Sequence, residues 1–228
     1  MRIALKRWVA VCGLIAVLVP LARAVPATGG PPPILARSIY VVRLDPRLCP
    51  SPLCGGYWVS LANHARTRCH DGLLRPRCYV AIAIGVSTRE PLTTGLPTDA
   101  LARAVVGSWT FEGFGELGAI FVADVWKPVG RAPPAGDFFR LRDTGVRCIR
   151  APCFSFRVGR LNTSSRTALV FGIDLGPARD NPETSRRAET ALGTPEGLLS
   201  SGRITATADG GRLFGATQVY LKTATPRA

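Results

Sequence analysis

Apolar positions in this chain fall into short runs with the two-residue period of half-buried strands. SIYVVRL (38–44) and DFFRLR (137–142) are rich in β-branched and aromatic residues, while YWVSLAN (57–63) and FSFRVGRLN (154–162) alternate in character. Cysteines and prolines separate the two runs of each pair. Because proline interrupts ladder bonding and favours turns, each pair predicts a hairpin with a cysteine-containing tip.

Longer apolar segments follow each predicted hairpin. CYVAIAIGV (78–86) and ALVFGIDL (168–175) are apolar enough to predict central strands, and AIFVADVW (119–126) and ATQVYLKT (216–223) predict a last strand in each half. The pattern therefore predicts a mainly β protein with α+β character at its margins. We expect about five strands and one or two short helices in each half.

Helix signals are confined to a few short segments. Asn181-Pro182-Glu183 offers an N-cap, a proline at the first helical position and an acidic first turn, and Gly193 supplies a stop after TSRRAETAL. Similar but weaker signals, Thr98-Asp99 before ALARAVV and Thr194-Pro195-Glu196 before GLLSS, predict another short helix in each half.

The two halves repeat one pattern. Sliding the chain over itself by 99 positions gives five identities in the 24 positions from residue 40, more than residue usage predicts. They pair Arg43 with Arg142, Cys49 with Cys148, Cys54 with Cys153, Val59 with Val158 and Asn63 with Asn162. We therefore predict two homologous units, 38–129 and 137–225, joined by a linker at 130–136. They could be separate domains or share one sheet with pseudo-two-fold symmetry.

The first 24 residues have the pattern of a signal peptide. A basic start, an apolar stretch and small residues at a cut site follow one another: Arg2, Lys6 and Arg7, then 8–19, then Ala22-Arg23-Ala24. The apolar stretch is shorter than the segment of about 20 residues that spans a bilayer. No apolar stretch of spanning length follows it. Residues 25–37, rich in Pro and Gly, predict an extended linker. The sequence thus predicts a secreted or periplasmic protein, cut after Ala24, without a transmembrane segment in the mature chain.

Removal of the signal also removes Cys12 and leaves an even number of cysteines, which in an exported chain indicates disulfides. Their grouping favours three local bridges, namely Cys49–Cys54, Cys69–Cys78 and Cys148–Cys153. A zinc site is the alternative, but the C-x4-C spacing and the supply of only two histidines, His64 and His70, disfavour it. We predict no metal and no cofactor.

Net charge narrows the partners only slightly. The chain carries +14, or about +10 once the cations of the signal are gone, and nearly all of its basic residues are arginines. With abundant Ala, Gly and Pro, this preference is typical of a GC-rich genome and weakens any selective explanation of the charge. The export signal and the lack of a basic helix disfavour nucleic acid. An anionic envelope component or an extracellular protein remains as a partner.

Catalytic motifs are missing from the sequence. It contains no G-x-S-x-G elbow, no P-loop and no G-x-G-x-x-G, and the even cysteine count leaves no free thiol. No spacing singles out a pair of carboxylates. We therefore expect an exported, non-catalytic protein with a binding or structural role in the envelope or outside the cell.

A protease inhibitor is the alternative function. Inhibitors present a scissile-like bond on a loop braced by a disulfide, which reduces the ordering cost of binding. Arg150-Ala151 lies between Cys148 and Cys153, and Arg47 precedes the other cysteine loop. The candidate binding residues are accordingly Arg150, Ala151, Arg47, His64 and His70.

Two segments carry a resemblance to a known family. RLDPRLCPSPLCGGYWVSLAN (43–63) and RDTGVRCIRAPCFSFRVGRLN (142–162) are similar to the hallmark of an uncharacterised group of secreted bacterial proteins, defined only as a domain of unknown function. The resemblance implies export and one fold over most of the mature chain. It implies no activity, substrate or catalytic residue.

Overall fold

The computed structural model describes residues 36–130 and 133–223. These residues contain fourteen strands, one α-helix and one 3-10 helix, joined by turns and loops. The predicted signal peptide and all but the last two residues of the linker 25–37 lie outside these ranges. The elements are β1 Ser38–Leu44, β2 Tyr57–Leu61, β3 Thr67–Arg68, β4 Leu74–Arg75, β5 Cys78–Val80, β6 Ile82–Gly85, β7 Ala100–Phe111, β8 Gly115–Pro128, β9 Asp137–Asp143, β10 Phe156–Arg160, β11 Ala168–Val170, β12 Gly172–Asp174, a 3-10 helix Gly176–Asp180, α1 Pro182–Leu192, β13 Leu198–Ala206 and β14 Arg212–Lys222.

Twelve of these strands form a single sheet. Its order is β11-β10-β9-β13-β14-β8-β7-β1-β2-β5, with β6 and β12 added parallel to β8 and β14, while β3 and β4 pair only with each other. The prediction of a mainly β protein is confirmed. The sheet runs through both predicted units, so of the two open arrangements the chain adopts the continuous one. Outward from β8 and β14 the two halves also have corresponding strand orders.

The two halves join at a short seam between β8 and β14. Three residue pairs form it, with Tyr220 opposite Pro128, Leu221 opposite Lys127 and Lys222 opposite Trp126. Backbone hydrogen bonds of 2.9 Å extend it at both ends, from Val129 N to Val219 O and from Thr223 N to Val125 O. The seam uses only part of each strand, and β6 and β12 pair with the remaining edge.

The prediction of central strands at 78–86 and 168–175 is wrong. Each segment is divided into two short strands, and the first of them lies at an end of the sheet, where β5 pairs with β2 and β11 with β10. The chain then crosses to the free edge of β8 or β14 and pairs in parallel. The apolar runs are continuous because both parts of each segment lie next to a core, not because they form one central strand.

Helix α1 confirms the prediction at Asn181-Pro182-Glu183. The side chain of Asn181 accepts from Glu183 N at 2.9 Å and Thr184 N at 3.1 Å, which satisfies donors that the first helical turn leaves free. The other two helix predictions are wrong. Asp99 is left-handed, with φ of 55°, and the chain after it enters β7, while Thr194 to Gly197 form a turn before β13. Residues 36–130 therefore contain no helix.

Three apolar clusters occupy the two faces of the sheet. One lies in the first half around Val42, Val59 and Ile120, and one in the second half around Leu141, Val158 and Phe214. The third is shared between the halves and contains Ile39, Val41, Ala62, Leu101, Trp126, Leu161, Leu199 and Tyr220. This shared cluster makes the halves depend on each other for burial.

Candidate functional site

The two C-x4-C segments are the tips of long hairpins, as predicted. They lie in the loop between β1 and β2 and in the loop between β9 and β10. Disulfides Cys49–Cys54 and Cys148–Cys153 close them, with Cα–Cα distances of 5.6 and 5.5 Å. The third predicted bridge, Cys69–Cys78, is also present. All three predicted pairings are confirmed.

Each tip presents aliphatic side chains to solvent. Leu48 and Ile149 are fully exposed, and Leu53 and Val146 are each 49% exposed. Arg150 follows Ile149 and is itself exposed, with no hydrogen-bond or ion-pair partner in the part of the chain that the structure describes. The bond between Arg150 and Ala151 therefore lies on an accessible, disulfide-closed loop.

Arg47, the other predicted binding cation, braces the first tip from within. Its Nε lies 2.9 and 3.0 Å from the two carboxylate oxygens of Asp45, and its terminal nitrogen donates to Leu53 O at 3.1 Å. The guanidinium also stacks over the rings of Trp58 and Tyr79, at 5.0 and 4.8 Å from their centroids. These contacts fix Arg47 in place.

An aspartate with a lowered pKa lies at the base of each tip. Hydrogen bonds from the Arg47 side chain lower the pKa of Asp45 to about 2, with Trp58 Nε1 donating a further bond at 3.1 Å. In the second tip, hydrogen bonds from the Arg147 side chain likewise lower the pKa of Asp143 to about 2. Both loops are thus braced by an arginine and an aspartate close in sequence.

The predicted histidines lie on different parts of the fold. His64 Nε2 is 2.8 Å from Asn162 O, beside a cavity of about 290 Å³ that Asn63 and Phe138 also line. His70 packs against β8, where a Cβ atom at position 118 would lie 3.1 Å from its ring and only 2.4 Å from Tyr79 O, so that Gly118 has room for no side chain. Within the described ranges, no group of three or more His, Cys, Asp or Glu side chains is arranged to hold a metal ion.

Sequence reasoning missed the role of the two repeated asparagines. Asn63 and Asn162 follow β2 and β10 with φ of 64° and 54°. Asn63 Nδ2 donates to Phe138 O at 2.7 Å and Leu161 O at 3.0 Å, whereas Asn162 Nδ2 donates to Ile39 O at 2.7 Å and Ala62 O at 3.0 Å. We call this arrangement the asparagine exchange. The retention of both residues at an offset of 99 was the available signal.

A charged network beside the seam was also missed. The carboxylate of Asp124 is 8% exposed and contacts Arg103 of β7, and its other oxygen lies 2.9 Å from Lys222 Nζ. Lys222 also reaches Glu196 at 2.8 Å. Burial acts to lower the pKa of Lys222, but the hydrogen bonds to Asp124 and Glu196 outweigh it and raise that pKa. The network therefore connects β7, β8 and β14.

An open groove of about 530 Å³ lies between α1 and β14. Leu221 lines it together with Arg187 and Thr190 of the helix. None of the residues predicted to bind lies there. Across residues 36–130 and 133–223, no helix has the length and apolar character needed to cross a membrane.

Comparison with known proteins gives one match. The family model of a domain of unknown function, DUF6748, matches residues 38–226, which include every strand described above. No curated protein and no solved structure matches the chain. The chain therefore belongs to the DUF6748 family.

Proposed function

We propose that this is an exported, non-catalytic binding protein that displays its two disulfide-closed tips to a protein partner outside the cell or in the envelope. The observation that carries the proposal is the full exposure of Leu48 and Ile149 on loops that a disulfide closes. A loop held in one conformation loses little entropy when it is bound, so more of the contact energy appears as affinity.

Export is supported by the cysteines as well as by the signal-like residues 1–24. Disulfides form and persist in oxidising compartments and are rare in the cytosol. The bridge Cys69–Cys78 is buried, at 5% and 1% exposure, where it forms part of the core of the first half. A chain that needs this bridge for its core folds best where thiols are oxidised.

The absence of catalysis is supported by the roles of the two buried aspartates that the structure describes. Asp45 is held by Arg47 and Trp58, and Asp124 by Arg103 and Lys222. Both carboxylates therefore have structural partners. Broad hydrolase assays that find turnover surviving repurification would overturn this part of the proposal.

Binding through the tips is tested by co-sedimentation with washed envelopes, and by cross-linking to secreted proteins, of the source organism. We expect a variant with Leu48→Ser and Ile149→Ser to lose at least about tenfold in affinity, since each change removes about 1.5–3 kcal/mol of apolar burial. Phe114→Ser is the matched control, because Phe114 is 48% exposed at another turn. Equal binding by the double variant and the control would contradict the proposal.

A protease inhibitor is the second candidate, favoured by the exposed and unpaired Arg150 next to Ala151. The expected result is inhibition of a trypsin-like protease by the oxidised protein, lost in Arg150→Ala. Arg203→Ala is the control, since Arg203 is also exposed but lies on β13. Absent inhibition, or equal inhibition by wild type and Arg150→Ala, removes this candidate.

A further inference from the structure

Two arginines lie directly opposite each other on neighbouring strands of the second half. In the antiparallel pair of β9 and β10, the register places Arg142 against Arg157. Residues in this relation have Cβ atoms only about 5 Å apart on the same face of the sheet. Like charges so placed repel each other and destabilise the pair.

No carboxylate of the described chain compensates these two charges. Neither Arg142 nor Arg157 has an ion pair there, and the Nε atom of Arg142 is buried without a hydrogen-bond partner. The adjacent Asp143 is committed elsewhere: its oxygens accept from Arg147 at 2.7 and 3.0 Å and from Gly145 N at 2.7 Å. A buried donor without a partner calls for a bound water or ion.

The first half shows how the same position is neutralised. There Arg43 faces Trp58 across β1 and β2, and its Nε donates to Asp99 at 3.0 Å. Val42 pairs with Ala100 and Leu141 with Leu198, so the register puts Gly197 where Asp99 lies. Both residues are left-handed, with φ of 72° and 55°. The second half thus lacks the carboxylate and carries an extra arginine in place of the tryptophan.

An open cavity of about 200 Å³ lies over the pair, lined by Arg142, Asp143, Thr144 and Arg157. Arg140, the next residue on the same face of β9, lies beside the pair and donates to Glu196 O. Burial, and then the charge of Arg142, lower the pKa of Arg140. The cavity is therefore a cationic site at the base of the second cysteine loop.

We propose that this cavity binds a phosphate group, held between the guanidinium groups of Arg142 and Arg157. Guanidinium presents planar pairs of N–H donors that match phosphate oxygens, and the two charges balance one dianion. The bound group relieves the repulsion between the strands and gives the buried Nε region a counter-charge. The site is separate from the exposed tips and does not depend on what they bind.

The test is calorimetric titration of the oxidised mature protein with inorganic phosphate at mildly alkaline pH and constant ionic strength. We expect binding that Arg157→Gln weakens at least about tenfold, as loss of a charge-assisted hydrogen bond predicts. Arg157→Trp, which restores the first-half residue, has the same effect. Arg203→Gln removes the same charge elsewhere and leaves the affinity unchanged.

A second arm distinguishes the source of the phosphate. Vesicles of phosphatidylglycerol replace the free ion, and binding that Arg157→Gln abolishes but Arg203→Gln does not assigns a lipid headgroup. Binding of the free ion alone assigns a soluble phosphate. The proposal is overturned if neither probe binds, if acetate binds as tightly as phosphate, or if Arg157→Gln and Arg203→Gln behave alike.

Discussion

Asn63 and Phe138 are joined by two hydrogen bonds of 2.7 Å that run in opposite directions. The side-chain Nδ2 of Asn63 donates to Phe138 O, and Phe138 N donates to the side-chain Oδ1. Asn162 makes the same pair of bonds with Ile39, at 2.7 and 2.9 Å. The end of the first hairpin in each half thus binds the start of the other half, through contacts additional to the β8–β14 seam.

Replacement of Asn63 therefore weakens the whole fold. Asn63→Ala removes three hydrogen bonds, each contributing about 1 kcal/mol, and places alanine in a left-handed conformation that costs about 1 kcal/mol more. We expect urea titration to show a loss of about 3–4 kcal/mol in the free energy of unfolding. Asn63→Gly, which tolerates the backbone, loses about 1 kcal/mol less. A loss below about 1 kcal/mol in Asn63→Ala would contradict this role.

Acid weakens the fold through Asp45 and Asp143. Their folded pKa values of about 2 lie below the ordinary 3.8, so the unfolded chain binds protons first as the pH falls. Their contribution is complete above about pH 5 and is lost progressively toward pH 2. The free energy of unfolding, measured by urea titration at several pH values, should fall across that window. In a variant with both Asp45→Asn and Asp143→Asn, the free energy of unfolding should fall less between about pH 5 and pH 2. The same pH dependence in the variant and the wild type would show that other groups cause the fall.

The three disulfides differ in what they stabilise. Loss of Cys69–Cys78, by changing both residues to alanine, costs about 3 kcal/mol from the loop it closes, and more from the packing that Cys69 and Cys78 contribute. The same change at Cys148 and Cys153 costs about 2 kcal/mol. Urea unfolding of the two variants should give this order. A larger loss from the exposed loop would reverse our assignment.

Asp124 stabilises the centre of the sheet by neutralising two cations. Asp124→Asn leaves Arg103 and Lys222 without their buried counter-charge. Because both cations are partly exposed, we expect a loss of about 2 kcal/mol, below the usual cost of breaking a fully buried pair. Thermal unfolding with and without Asp124→Asn measures it, and Glu116→Gln, at an exposed position of β8, serves as the control. Equal melting temperatures would contradict the assignment.

Local signals in the sequence predicted local structure correctly. The cysteine tips followed from prolines and alternating runs, and α1 followed from the cap at Asn181 and the proline after it. The segment after Asp99 shows the limit of such signals. ALARAVV is rich in alanine and follows a cap-like pair, yet it forms β7 because β1 and β8 offer hydrogen bonds on both sides.

Contacts between the halves could not be predicted from the sequence, for a different reason. Asn63 and Asn162 were visible as repeated residues, but their partners Phe138 and Ile39 depend on how the sheet brings the halves together. Likewise, Arg142 and Arg157 are only two of many arginines until the register places them opposite each other. Both sets of contacts depend on which distant strands pair and in which register, and local sequence patterns do not specify this.

The order of the sheet has a consequence for how the chain reaches its final state. In each half the strand that comes last in sequence, β8 or β14, lies nearest the middle of the sheet. The seam and the shared apolar cluster both need β14, since Tyr220 and Lys222 belong to it. When the chain emerges amino end first, from a ribosome or from a translocation channel, the central strand β14 emerges last. The β8–β14 seam can therefore form only after the outer strands of both halves have emerged.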